Sequence, residues 1–209
     1  MTDMSNMYFY YIKINYIIQV EGVIKMIIGM CGKSGSGKST LSNLIKEEYK
    51  NVCTLEIDKV GHNALLDEDV KKELVNSFGL SVIEDNKVNR KKLGEIVFYS
   101  RHQMDRLTEI TWNHMEKEID NFIENNKDKI IILDWLLLPK TKFFDLCDVK
   151  ILLDIPYEVR LQRAMKRDNI TKEAFDLRDN SSIEFDPLSF DYVYKDNKEI
   201  NIKRLVKRK

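Results

Sequence analysis

The eight-residue run Gly32-Lys33-Ser34-Gly35-Ser36-Gly37-Lys38-Ser39 constrains this chain more than any other feature of its sequence. It satisfies the pattern GxxxxGK[ST]. An apolar run, Met26–Cys31, precedes it, and an amphipathic segment, Ser39–Tyr49, follows with Leu41, Leu44, Ile45 and Tyr49 on one helical face. A strand entering and a helix leaving is the context in which such a loop cradles phosphate. Glycines let the backbone curl until successive N–H groups point inward, and the helix adds the positive end of its dipole. Lys38 is placed to reach the β- and γ-phosphates, and the Ser39 hydroxyl to serve as a ligand of Mg²⁺. Gly32 to Thr40 are therefore read as a nucleoside triphosphate site, with ATP and Mg²⁺ as the cofactors it implies.

Beyond the loop, short apolar runs alternate with amphipathic segments, the pattern of βα units in a parallel sheet. The runs Met26–Cys31, Val52–Ile57, Ile130–Asp134 and Lys150–Asp154 are rich in Ile, Leu and Val, as strands covered on both faces are, and Tyr192–Tyr194 is a weaker fifth. Between them the spacing predicts helices over Asp67–Phe78, stopping at Gly79, over Arg101–Ile123, over Glu158–Asp168, and over Thr171–Arg178 with Thr171 as N-cap. At 209 residues, against a soft scale of about 150 per domain, the chain reads as one α/β domain on a five-stranded parallel sheet.

Composition narrows the class. Lys+Arg 34 balances Asp+Glu 34, which argues against a protein that holds bulk nucleic acid, so any phosphate binding is local. Three separated cysteines and three histidines support neither a disulfide framework nor a zinc site, and point to reducing cytoplasm. No apolar stretch reaches the roughly 20 residues of a membrane helix. Residues 1–25 carry Asp3, scattered aromatics and no signal-peptide cleavage pattern, and read either as an edge strand or as an appended tail, with the compact domain spanning 26–209.

Three further groups carry candidate chemistry. Asp134 closes a buried strand, where it holds Mg²⁺ directly or through water, or else caps the following turn. Glu56 and Asp58 are two residues apart at the end of another strand, so period-two alternation sends both carboxylates to one side, where Asp58 can take a proton from an acceptor hydroxyl. The competing reading makes Asp58 the N-cap of a helix Lys59–Leu66. Arg160, Arg163 and Arg167 recur at i, i+3 and i+7 on one helical face and suit a lid that neutralises a transferring phosphoryl group, Arg163 and Arg167 best of all. His62 lies one helical turn beyond Asp58, whereas His114 reads as a partly buried, hydrogen-bonded side chain and the basic 203–209 segment as a charged helix end and tail.

Taken in order, these segments resemble the dephospho-coenzyme A kinases, P-loop kinases that phosphorylate the ribose 3′-hydroxyl of dephospho-coenzyme A. The carriers are IIGMCGKSGSGKSTLSNLI, EIDKVGH at Glu56–His62, VNRKKLGEIVF at Val88–Phe98, LQRAMKRDNITKEAF at Leu161–Phe175 and YVYKDN at Tyr192–Asn197. The resemblance implies a three-layer P-loop kinase fold, helices on both faces of the sheet and a small helical lid at about residues 158–186. It implies Lys38, Asp58, Arg163 and Arg167 in catalysis and Asn197 beside the adenine. His62, Arg90 and Lys91 then join Asp58 on the acceptor side, and Ser39 and Asp134 at the metal. ATP and a small-molecule acceptor are the partners it implies, for a cytoplasmic monomer or small homo-oligomer. The chain departs from the family wording on the acceptor side. Thr-His-Pro reads Thr111-Trp112-Asn113, which lets the helix run on. Asp-x-Pro-Leu-Leu-Phe-Glu reads Asp134-Trp135-Leu136-Leu137-Leu138-Pro139-Lys140. A divergent kinase of another nucleoside, nucleotide or small alcohol, and a nucleotide-binding protein without transfer activity, are the competing readings.

Overall fold

The structure is a computed structural model describing residues 25–206. Residues 1–24 of the expected extension, and 207–209 of the basic tail, lie outside the described residues. A five-stranded sheet organises the molecule: β1 (Met26–Cys31), β2 (Val52–Glu56), β5 (Ile130–Asp134), β6 (Val149–Leu153) and β7 (Tyr192–Tyr194), in the order β2-β5-β1-β6-β7. Every neighbouring pair is parallel. A two-stranded hairpin, β3 (Ile83–Glu84) with β4 (Lys87–Val88), stands apart. Its turn residues Asp85 (φ 50) and Asn86 (φ 59) adopt the left-handed pair that a two-residue hairpin needs.

Strand alternation builds the layers. Ile28, Met30, Ile130 and Ile132 share one cluster, covered by Leu41 and Ile45 of α1 (Lys38–Glu48) and by Leu205 and Val206 of α9 (Ile202–Val206). Cys31, Ile131 and Leu133 point the other way, against Ile57, Val60 and Ala64 of α2 (Ile57–Ala64), Met115 and Ile119 of α5 (Arg101–Asn125) and Phe143 of α6 (Lys142–Asp145). This is the three-layer α/β arrangement that the alternating sequence predicts. The α5 helix is continuous for 25 residues, as the missing proline implies. A third cluster joins α3 (Glu68–Phe78), α4 (Arg90–Val97) and the N-terminal half of α5; α7 (Tyr157–Asp168) and α8 (Lys172–Asn180) pack Leu161, Ala164 and Phe175 together as a separate helical pair. The predicted cap forms, Thr171 accepting from Ala174, and Asp67, expected as the first helical residue, caps α3 by accepting from Asp69 and Val70. His114 sits 3.6 Å from Asp67, a tie between α5 and the start of α3.

One boundary overturns a sequence argument. Strand β2 ends at Glu56 and α2 begins at Ile57, so strand alternation does not relate Glu56 to Asp58. Asp58 lies in the first turn of α2, and Glu56, not Asp58, is the N-cap position. The hydrophobic run through Ile57 extended the expected strand, but Ile57 is the first of three apolar α2 residues buried against the sheet.

Close packing also explains Gly29. A Cβ there would stand 2.7 Å from Cys147 Sγ and 3.1 Å from Leu138, so only glycine lets Cys147 lie against β1. Gly29→Ala is expected to destabilise the fold by about 1–3 kcal/mol through overpacking. Urea denaturation checks this, with Cys147→Ala in the same chain expected to recover part of the loss.

Candidate active site

The loop from Gly32 to Gly37 carries the curled backbone that the sequence motif demands. Gly35 (φ 78) and Gly37 (φ 96) are left-handed, and a Cβ on Gly35 would come within 2.4 Å of the Arg160 carbonyl oxygen of α7. Helix α1 has no side-chain cap at its N-terminus, which leaves its first-turn N–H groups available to an anion. The Ser36 hydroxyl oxygen is buried in the loop without a hydrogen-bond partner. An orphaned donor inside a ring of backbone N–H groups fits a bound phosphate. Lys38 Nζ donates to the Gly32 carbonyl at 2.8 Å and stands 3.7 Å from Asp134 Oδ1, while Ser39 and Thr40 are exposed at the start of α1.

Asn197, expected beside the adenine, bridges loop and lid. Its Nδ2 donates to the Ser36 carbonyl at 3.1 Å, and its Oδ1 accepts from Arg163 at 2.6 Å. The three predicted lid arginines do not act as one face. Arg160 is buried, donating to the Ile155 carbonyl and forming a two-pronged pair with Asp179 of α8. It also donates to the Ser34 carbonyl at 3.4 Å, so its side chain ties the loop to the lid helices. Arg167 donates to both oxygens of Asp168, at 2.7 and 2.9 Å, with no hydrogen bond to the phosphate loop. Arg163 is the arginine of α7 whose partners, Asn197 and the Ser36 carbonyl, are all neutral. Lys33 pairs with Glu184 at 2.9 Å, a latch from the loop to the segment after the lid.

Asp134 pairs in register with Met30 on one side and Glu56 on the other, so three strand ends meet beside the loop. Burial pushes the Asp134 carboxyl up to about 6; Lys38 opposes the shift, and the nearby Asp58 and Glu56 charges add to it. Asp58 is exposed, and its Oδ1 accepts from the indole Nε1 of Trp135 at 3.0 Å. One turn along α2, His62 Nε2 accepts from Arg90 at 2.8 Å, since a guanidinium only donates. Burial and the Arg90 charge hold His62 below its ordinary range, while Asp58 pulls the other way. The structure thus gathers Asp58, His62 and Arg90, all predicted for the acceptor side. Lys91 is exposed; its backbone N–H serves the Asn89 cap of α4. Trp135 was not anticipated from the sequence, although a buried indole directly after a strand-end carboxylate signals an N–H that needs an acceptor.

Among the described residues no three His, Cys, Asp or Glu side chains converge as a metal cage. Asp134 with the Ser39 hydroxyl suits Mg²⁺ arriving on a triphosphate, an ion that keeps few protein ligands. Burial pushes the Cys31 thiol far above its ordinary value, so it is an inert strand-end residue. No helix among the described residues is long and apolar enough to cross a membrane.

A phosphate loop at the end of the central strand, a carboxylate on the adjoining strand and a helical pair over the loop define a nucleotide-dependent phosphotransferase of the P-loop kinase class. The dephospho-CoA kinase family model matches residues 26–186. A dephospho-CoA kinase of Fusobacterium nucleatum is 33% identical over 149 residues, 71% of this chain and 76% of that one. One of Listeria innocua is 32% identical over 181 residues, 83% of this chain and 89% of that one. This chain belongs to the dephospho-CoA kinase family. Two solved structures share the fold. A Thermus thermophilus protein superposes with TM-score 0.70 at 20% identity, over 87% of this chain and 93% of that one. The Campylobacter jejuni dephospho-CoA kinase gives 0.51 at 23%, over 88% and 93%.

The raised Asp134 value has a signed consequence. Its folded carboxyl holds a proton more tightly than the unfolded one, so its contribution to stability falls as pH rises between about 4 and 6. Thermal melts of the nucleotide-free protein are expected to show wild type losing stability relative to Asp134→Asn across that window, by up to about 3 kcal/mol.

Proposed function

We propose that this chain transfers the γ-phosphoryl group of ATP to the ribose 3′-hydroxyl of dephospho-CoA, giving CoA and ADP. The observation that carries the reading is the placement of Asp58: its exposed carboxylate lies near enough to Asp134 for its charge to raise that carboxyl, with His62 one turn along α2 and Arg90 of α4 bonded to His62. The triphosphate side is supplied by the loop N–H groups, the Ser36 hydroxyl and Lys38. Asp58 takes the proton of the 3′-hydroxyl as its oxygen bonds to the γ-phosphorus, and the bond from that phosphorus to the β-phosphate bridging oxygen breaks, leaving ADP. Lys38 leaves the Gly32 carbonyl for the β- and γ-phosphates, and Arg163, held by neutral partners, is free to meet charge on the phosphoryl group.

Mg²⁺ arriving with the nucleotide would supply charge neutralisation at the phosphates, and Ser39 and Asp134 are the residues that would hold it. Arg90 and Lys91, at the start of α4, lie where they can meet the acceptor's diphosphate. Arg167 reaches the nucleotide in this reading after releasing Asp168, and Asn197 lies close enough to the loop to border the bound nucleotide. Residues 26–209 form the kinase domain with a lid at about 158–186, which the family match beginning at Met26 supports, and residues 1–25 are an extension of it. Cytoplasm is the compartment where both substrates are at hand, and the reading needs only these two small-molecule partners for a monomer or small homo-oligomer.

Coupled ADP release with saturating Mg²⁺ and ATP is expected to depend on dephospho-CoA; release without that dependence sinks the proposal. Lys38→Ala is expected to abolish turnover. Asp58→Asn is expected to lower the rate by about 10²–10⁴, the range for a lost general base, while nucleotide titration shows ATP affinity nearly unchanged.

A further inference from the structure

The chain holds two tryptophans, and the structure brings both to the same place. Trp135 follows Asp134 at the end of β5; its backbone N–H donates to the Met30 carbonyl at 3.2 Å, and its side chain is 5% exposed. Its indole N–H donates to Asp58 Oδ1 at 3.0 Å, the one hydrogen bond to the Asp58 carboxylate among the described residues. Trp112, from α5, stacks on Trp135 with ring centroids 6.0 Å apart and planes 10° apart, and leans in turn on Phe143 at 6.3 Å. Helix α2 is held close to α5 at Gly61, where a Cβ would stand 3.4 Å from Met115. The segments in which this chain departs from the family wording, around Trp112 and around Trp135, therefore meet beside Asp58.

A buried indole N–H needs an acceptor, and here the acceptor is the carboxylate of an exposed residue in the first turn of α2. What the contact does is fix one Asp58 oxygen, while among the described residues no hydrogen bond holds the other. A flexible carboxylate must be frozen before it can accept a proton in line with phosphoryl transfer, and a hydrogen bond from a packed ring performs that ordering in advance. Because Trp135 adjoins Asp134 in sequence, the same strand end sets the positions of both carboxylates.

We propose that Trp135, backed by Trp112, is a positioning residue that orients Asp58 for the acceptor hydroxyl, and that this pair reports acceptor binding through its emission. The proposal rests on the reading of Asp58 as the base, and the test separates the two. Trp135→Phe keeps a ring on Trp112 and removes the N–H. In coupled ADP release kcat is expected to fall about tenfold, the value of a hydrogen bond to a charged group, with KM for ATP and for dephospho-CoA held within about twofold. The double variant Asp58→Asn with Trp135→Phe is expected to be no slower than Asp58→Asn alone, since Trp135 acts through Asp58. A fold-packing role would instead multiply the two losses. If Asp58→Asn keeps the wild-type kcat, the base assignment itself fails. If it is slow while Trp135→Phe keeps the wild-type kcat, or while the double variant shows the full product of the losses, the base stands and the positioning role is overturned. The unmodified protein gives an independent measure: dephospho-CoA titrated with ATP absent is expected to change tryptophan emission with saturation, and the Asp58→Ala variant to shift the emission maximum of the free protein. An unchanged emission in both experiments overturns the proposal even where Trp135→Phe fails to fold.

Discussion

Parallel pairing of β1 with β5 is the constraint from which the site follows. The register sets Met30 opposite Asp134, and β2 adds Glu56 on the far side of the same carboxylate. Side chains alternate along β5, so Asp134 shares the face of Ile130 and Ile132, the face covered by α1. That helix begins with Lys38, and the carboxylate is therefore brought to 3.7 Å from the ammonium by backbone geometry rather than by side-chain reach. A slip of one residue would turn Asp134 into the opposite layer and leave Lys38 without its counter-charge.

The curl of the phosphate loop is held from outside. The carbonyls of Gly32, Ser34 and Ser36, alternate residues of the loop, accept from Lys38 at 2.8 Å, from Arg160 at 3.4 Å and from Asn197 at 3.1 Å. Peptide units whose carbonyls are drawn outward leave the intervening N–H groups directed inward, which is the polarity an anion needs. Two of these donors come from beyond residue 155, from α7 and from the turn after β7, so the loop's shape depends on the lid helix and on the last strand. Arg160 thereby braces the loop, and its burial and its pairing with Asp179 hold the guanidinium in place.

Much of this was legible in the sequence because it rests on periodicity and on one contiguous motif. Runs of Ile and Val gave away the strands, and Asp67, Gly79 and Thr171 marked helix ends by the same chemistry the structure uses. Legibility stopped where a side chain's role depends on a partner distant in sequence. The i, i+3, i+7 spacing put Arg160, Arg163 and Arg167 on one helix, but only the fold shows that Asp179 claims the first and Asp168 the third. Asp58 reaches its expected neighbourhood through a helix turn rather than a strand, because Ile57 serves equally well as a strand residue or as the first buried position of α2. The β3–β4 hairpin went unpredicted although Asp85-Asn86 is a turn pair, since strands of two residues carry no periodicity.

A neutral chain can build a strongly polarised cleft by sorting its charges. Glu56, Asp58 and Asp134 gather at the ends of β2 and β5, and their mutual repulsion helps raise the Asp134 carboxyl. On the other side, most cations of the loop and lid are already paired: Lys33 with Glu184, Arg160 with Asp179, Arg167 with Asp168. Such pairs have little field left for a ligand. Arg163 is different, because the oxygens it contacts belong to an amide and a backbone carbonyl. Among the described residues no carboxylate pairs with it, and Lys38 shares Asp134 at a distance longer than a hydrogen bond. Both side chains therefore bring positive charge to the loop, with the carboxylates next to it. The two regions meet where Asp134 stands 3.7 Å from Lys38. Charge sorting of this kind gives a chain of zero net charge a strong local field of both signs around one strand end.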